Sequence, residues 1–215
     1  MIIAISGLDG AGKSSAIHEI IVNLESKGIE AAYSWGGWKQ FEILPFPRLG
    51  QIVRKKILGK QSLTNLTQMR NDSNKKIKII ISRCIKGFAL IDFIIISILT
   101  HKKMAKQSAI LFLDRYIADF IVGIASGQDF SKFDLSLMKT LDGILAQADI
   151  EFLIDVPPEI ALSRKEDVNS LEELNRKRGL YLKIAKIRKM EIIDGRLPIS
   201  VVCFEMRKKF NKLLV

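Results

Sequence analysis

Apolar residues follow two arrangements along this chain: short unbroken runs, and longer stretches in which they recur every three or four positions. Residues 2–6 form the first unbroken run and lead into glycine; residues 15–27 then place Ala16, Ile17, Ile20, Ile21 and Leu24 at helical spacing. Lys27-Gly28 closes that helix, and residues 29–35 read as a second strand. The chain therefore opens with a β-α-β unit, the building block of parallel sheets. Residues 36–50, with Pro45, Pro47, Trp38, Phe41 and Phe46, predict an irregular loop lying over a ligand or capping a core. Residues 51–86 are helical in period and basic. The apolar run over 88–100 contains Asp92 and falls short of the roughly 20 apolar residues of a membrane span, so it predicts a buried helix. Three further strand-like runs, 109–113, 149–154 and 190–193, lead into Asp114, Asp155 and Asp194. Helical periods occupy 135–146, 158–183 and 199–214. Strands alternating with helices predict an α/β fold with a parallel sheet, whose strand carboxyl ends line the ligand crevice. The three aspartates fall at those ends.

A length of 215 residues, 48% of them hydrophobic, suits one compact core, and no repeat, linker or low-complexity tract divides it. A single domain over 1–215 is expected. Cys84 and Cys203 lie far apart, outside any metal or redox spacing, which predicts two buried thiols in a reducing compartment. The first six residues show no basic n-region or cleavage site, so a cytoplasmic location is expected. Thirty-four basic against 23 acidic side chains give a formal charge of +11. That excess is scattered over 54–60, 75–78, 101–106 and 176–189 without interleaved aromatics. It predicts a solvated surface with a phosphate-handling cleft, with neither nucleic acid nor membrane as partner.

The strongest chemical signal is Gly7-Leu8-Asp9-Gly10-Ala11-Gly12-Lys13-Ser14, placed between the first strand and the first helix. Its glycines let successive N–H groups face phosphate oxygens, with a helix N-terminus behind them. Lys13 is placed to reach the β and γ phosphates and Ser14 to ligate magnesium, so the loop predicts binding of a nucleoside triphosphate with Mg²⁺. Asp114, ending a strand, is a second candidate on the metal side; a helix cap or an ion pair is its plainer alternative. Arg115 beside it is a candidate for contacting a transferring or accepting phosphate. Arg164, Lys165, Arg176 and Arg178 flank the polar stretch 166–175 and predict a small lid over about 163–178, with a charged helical face as the alternative. His18, in the helix after the loop, and His101, in a basic stretch, are read without a catalytic role.

With these motifs in place, the chain resembles the thymidylate kinase family of nucleoside monophosphate kinases. The matching stretches are Ile5 to Ser15, Leu113-Asp114-Arg115-Tyr116, Asp155-Val156-Pro157-Pro158 with Glu159 to Arg164 behind it, and Ile193-Asp194-Gly195. Asp9 inside the phosphate loop is the most telling. The resemblance implies a five-stranded parallel sheet flanked by helices. It also implies an ATP site built from Gly7, Gly10, Ala11, Gly12, Lys13, Ser14 and Ser15, with Arg164 and Arg196 bordering the adenine. Asp9, Arg115 and Tyr116 would face the acceptor, Ser14 and Asp114 the magnesium, and Lys13, Arg115 and Arg164 would carry catalysis. A homodimer contact through 88–99 is a further implication.

Two positions depart from the family pattern. Phe93 stands where the family carries an arginine for the acceptor phosphate, with Arg48, Arg70 and Arg83 as candidate replacements. Ser34-Trp35-Gly36-Gly37-Trp38 stands where Glu-Pro-Gly follows the second strand. The resulting expectation is transfer of the ATP γ-phosphoryl group to a nucleoside monophosphate, dTMP first. The alternatives are a kinase for another phosphorylated small molecule or nucleotide, and a non-catalytic ATP-binding module.

Overall fold

The computed structural model describes residues 1–36, 87, 90–99, 108–125, 130–164 and 170–213. The expected loop beyond Gly36, the basic stretch 51–86 with Arg70 and Arg83, Arg48, Cys84, His101 and Lys165 lie outside the described residues. The chain divides into two compact units, Met1–Gly37 with Ile98–Val215, and Trp38–Ser97.

The larger unit is built on five parallel strands: β1 (Ile2–Ser6), β2 (Ala31–Trp35), β3 (Ile110–Asp114), β4 (Ile150–Asp155) and β5 (Glu191–Asp194), in the order β2-β3-β1-β4-β5. The five-stranded α/β expectation holds. Its helices are α1 (Lys13–Glu25), α2 (Ile117–Ile124), α3 (Lys132–Ile144), α4 (Pro158–Ser163), α5 (Leu171–Arg188) and α6 (Ile199–Phe210). Helix α1 packs on β2, β3 and α6, while α2 packs on α3 and α5, and α5 on β4. Strand β3 is buried along its whole length, as a strand with helices on both faces must be. Phe112 from β3 meets Phe210 from α6 edge to face, ring centroids 6.1 Å apart, a geometry aromatic quadrupoles favour.

Chain direction from β1 decides where a site can form. Strand β1 is flanked by β3 on one side and β4 on the other, so the loops leaving β1 and β3 part above the sheet and leave a crevice at their carboxyl ends. Register sets Ile5 opposite Asp114 and Asp155 opposite Asp194, which brings the three strand-end aspartates to that one edge.

Two sequence expectations are corrected. The continuous helical period over 158–183 is two helices, because α4 stops at Ser163 and α5 starts anew behind Ser170, whose hydroxyl accepts from the Glu173 amide. The apolar helix is confirmed over 90–99, yet it is not buried all round: Asp92 and Phe93 are buried, whereas Ile91 and Leu99 are about half exposed, at 49% and 56%. Cys203 is buried as expected, and burial pushes its thiol up to about 11. Among the described residues no helix is long and apolar enough to cross a membrane.

Candidate active site

Glycine is required in the loop after β1 for two separate reasons. Gly7, Gly10 and Gly12 hold φ of +147°, +86° and +87°, which side-chain-bearing residues rarely adopt. A Cβ at Gly7 would sit 2.5 Å from the Ile154 carbonyl oxygen, and one at Gly10 would sit 2.3 Å from that of Ala161. At Gly12 nothing lies within 4 Å. Helix α1 then begins at Lys13 with Gly12 as its N-cap and no side chain capping it, so the helix presents its first amides to whatever anion the loop encloses.

Lys13 is buried, and its ammonium donates to the carbonyls of Gly7 (2.9 Å) and Leu8 (2.8 Å). Burial, helped by the nearby Arg115 charge, lowers its pKa to about 8, against the opposing pull of Asp119, Asp114 and Asp9. Phosphate oxygens arriving in the loop would supply the missing counter-charge.

Ser14, on the first turn of α1, donates to Asp114 Oδ2 at 2.5 Å, and the Tyr33 hydroxyl from β2 donates to the same oxygen at 3.1 Å. Burial together with the Asp114 charge raises the Tyr33 pKa, which keeps that hydroxyl a donor. The other oxygen, Asp114 Oδ1, is buried without a hydrogen-bond partner. An orphaned carboxylate oxygen beside a serine hydroxyl is a fitting pair of hard ligands for Mg²⁺. Among the described residues no group of three or more His, Cys, Asp or Glu could hold a metal, so the remaining ligands would be phosphate and water oxygens, the usual arrangement for this ion.

Arg115 has φ +77°, an unusual conformation for a long side chain; its N–H donates to Ile5 O at 2.9 Å. Gly36 is needed alongside, since a Cβ there would lie 2.2 Å from the Arg115 carbonyl oxygen. The guanidinium forms an ion pair with Asp9 and approaches Asp119 at 3.4 Å. Burial opposes the charge, but Asp119, Tyr181, Asp9 and Asp114 outweigh it and keep Arg115 firmly protonated. The structure thus brings together Gly7, Asp9, Gly10, Gly12, Lys13, Ser14, Asp114 and Arg115.

Other predicted residues lie apart from that group. Tyr116 is buried and its hydroxyl donates to Ala146 O at 2.5 Å, which commits it to the α3 end. Burial, reinforced by Glu151, pushes the Tyr116 phenol well up. Ser15 is exposed on α1. Arg164 donates to Gly195 O at 3.0 Å, joining two of the stretches that carry the family resemblance, and Arg196 pairs with Asp194 at the surface. Of the lid cations, Arg178 is held in a bidentate bridge to Asp155 (2.7 Å for each bond) and Arg176 is paired with Glu173. The sequence reading missed Tyr33, Asp119 and Tyr181. Asp119 did leave a signal, as a lone carboxylate among Ile117, Ala118, Phe120 and Ile121 on a short apolar helix.

No family model matches the chain. Curated relatives do, among them the thymidylate kinase of Fervidobacterium nodosum, 25% identical over 224 residues, with all of both chains covered; and the thymidylate kinase of Thermosipho africanus, 26% identical over 222 residues, covering all of this chain and 99% of the relative. The chain is thus similar from end to end to two thymidylate kinases, in keeping with the thymidylate-kinase-like resemblance of its motifs, on a parallel α/β sheet that carries the glycine loop and the Asp114-Arg115 pair at its carboxyl edge.

Proposed function

We propose that the protein transfers the γ-phosphoryl group of ATP to the phosphate of a nucleoside monophosphate, with dTMP, to which the names of both relatives point, as the first acceptor. The observation that carries this reading is the ion pair of Asp9 with Arg115, whose charges, with that of Asp114, act on the Lys13 ammonium. A site that only bound ATP would have no use for a second cation and carboxylate beside the γ-phosphate position.

The chemistry asks little proton transfer of the protein. An oxygen of the acceptor phosphate, already anionic at neutral pH, forms the new bond to Pγ, while the bond from Pγ to the β-bridging oxygen breaks and ADP leaves. Catalysis is then positioning and charge neutralisation. The loop amides and Lys13 hold the β and γ phosphates, and Arg115 bridges toward the acceptor phosphate. Ser14 and Asp114 would hold Mg²⁺, which when bound neutralises phosphate charge. Arg164 and Arg196 border the adenine, and Tyr116 serves the acceptor side through its amide, which donates to the Asp119 carboxylate facing Arg115.

A different acceptor is the second reading, favoured by buried Phe93 at the family's arginine position and by the Gly36-Gly37 departure after β2. The deciding experiment is coupled ADP release with ATP and Mg²⁺ across a panel of nucleoside monophosphates, with Lys13→Ala as the blank. Turnover on dTMP well above the blank supports the first reading; turnover on another monophosphate alone supports the second; no acceptor-dependent release at all refutes both.

A further inference from the structure

Arg115 is gripped from two sides that differ in kind. Its Nη2 meets Asp9, whose side chain is 34% exposed on the phosphate loop; its Nη1 faces Asp119, whose side chain is 5% exposed. Asp119 is itself fully engaged. Its Oδ2 accepts the Tyr116 amide at 3.2 Å, which ties it to the start of α2, and its Oδ1 accepts the Tyr181 hydroxyl at 2.8 Å. At 3.4 Å, the Arg115 nitrogen is a looser partner of that oxygen than Tyr181 is. The carboxylate is therefore fixed mainly by the backbone of α2 and by Tyr181 from α5, and acts on Arg115 as an immobile buried negative charge. We propose that Asp119 and Tyr181 are positioning residues: a buried pair that presets the Arg115 guanidinium, leaving the solvent-side contact to Asp9 as the one an acceptor phosphate exchanges with. This inference rests on the transfer reading above.

Two further observations support it. Arg115 sits at φ +77°, a backbone state that persists only when its surroundings over-determine it. Tyr181 is buried in the α2–α5 packing, and burial beside Asp119 raises its pKa well above the ordinary value, so its hydroxyl stays a donor. A tyrosine serving packing alone would have no need of that hydroxyl.

The test uses the full chain and variants Tyr181→Phe and Asp119→Asn, alone and combined with Arg115→Ala. Tyr181→Phe is expected to lower kcat on the best acceptor of the panel roughly tenfold with the KM for ATP unchanged, the scale of one hydrogen bond to a charged group. Asp119→Asn is expected to lower it further, and neither should add a loss to Arg115→Ala. Independently of turnover, the guanidinium ¹⁵N–¹H resonances of Arg115, restricted in the ligand-free protein, should broaden or average in both variants. Full turnover with unchanged resonances in the folded variants overturns the proposal, as do losses that add fully to Arg115→Ala. If Tyr181→Phe fails to fold, Asp119→Asn carries the same readouts. If the wild type turns over none of the panel, the transfer reading falls, and the guanidinium spectra alone decide whether the pair positions Arg115.

Discussion

Replacing Lys13 with methionine keeps most of the side chain's volume and removes its charge, which isolates what burial of the ammonium costs the ligand-free fold. The Lys13 pKa is lowered from 10.5 to about 8, chiefly by desolvation. Below pH 8 the folded and unfolded chains are both protonated there, and the folded chain carries the full penalty. Between about 8 and 10.5 the unfolded chain still binds the proton and the folded one does not, so raising the pH stabilises the fold. At 1.36 kcal/mol per tenfold change, that gap is worth roughly 3 kcal/mol. Other titrations cancel in the difference between wild type and Lys13→Met, which should move by about 3 kcal/mol in favour of wild type between pH 7 and 11. Loss of the donors to Gly7 O and Leu8 O offsets the whole curve without changing its shape. Denaturant unfolding of both proteins across that range measures it. A difference that stays flat with pH would show that the ammonium is solvated in the free protein, and would refute the argument that bound phosphate supplies its missing counter-charge. ATP binding by the wild type should weaken as pH rises above about 8, because phosphate binds the protonated lysine.

Four further outcomes are expected. Gly12→Ala meets no atom within 4 Å and should lose only the left-handed backbone cost, about 1–2 kcal/mol by denaturant unfolding. Gly10→Ala, driven against Ala161 O, should lose more and should also abolish the rise in melting temperature that ATP induces. Ser14→Ala should raise the Mg²⁺ concentration for half-maximal turnover while leaving ATP binding in EDTA intact, since it removes the hydroxyl beside Asp114 and spares the loop amides. Arg188→Met strands Glu151 and Asp142, which Arg188 bridges with bonds of 2.5–2.7 Å, and should destabilise the protein by about 3 kcal/mol with turnover per folded molecule unchanged.

How much of this was legible in the sequence depends on whether a feature is local. The β1–loop–α1 unit and the strand-end aspartates are local, since apolar spacing and glycine placement act over a few residues, and the structure keeps them almost residue for residue. The end of α4 at Ser163 and the fresh start of α5 at Leu171 are not legible from period alone, although Ser170 and Glu173 form a helix start signal, because helical spacing counted over 158–183 still fits. Tyr116 shows the limit of reading neighbours as partners. The left-handed turn at Arg115 redirects the chain, so adjacent residues diverge, one toward Asp9 and the other toward Ala146.

Charge partnership is the least legible feature of all. Arg164, Arg176 and Arg178 look equivalent in sequence, yet one reaches Gly195 and two are held by Glu173 and Asp155. Arg176 and Arg178 are part-buried in these pairs, with side chains 13% and 33% exposed, so a phosphate that claimed either would first have to break bonds of about 2.7 Å to a carboxylate. The Arg115–Asp119–Tyr181 chain differs because the Asp119–Tyr181 bond behind Arg115 is buried and spans 62 residues, a contact only the packing of α5 on α2 creates. Arg115 is therefore backed by a carboxylate that the packing of α5 on α2 itself holds in place, whereas Arg176 and Arg178 are held directly by Glu173 and Asp155.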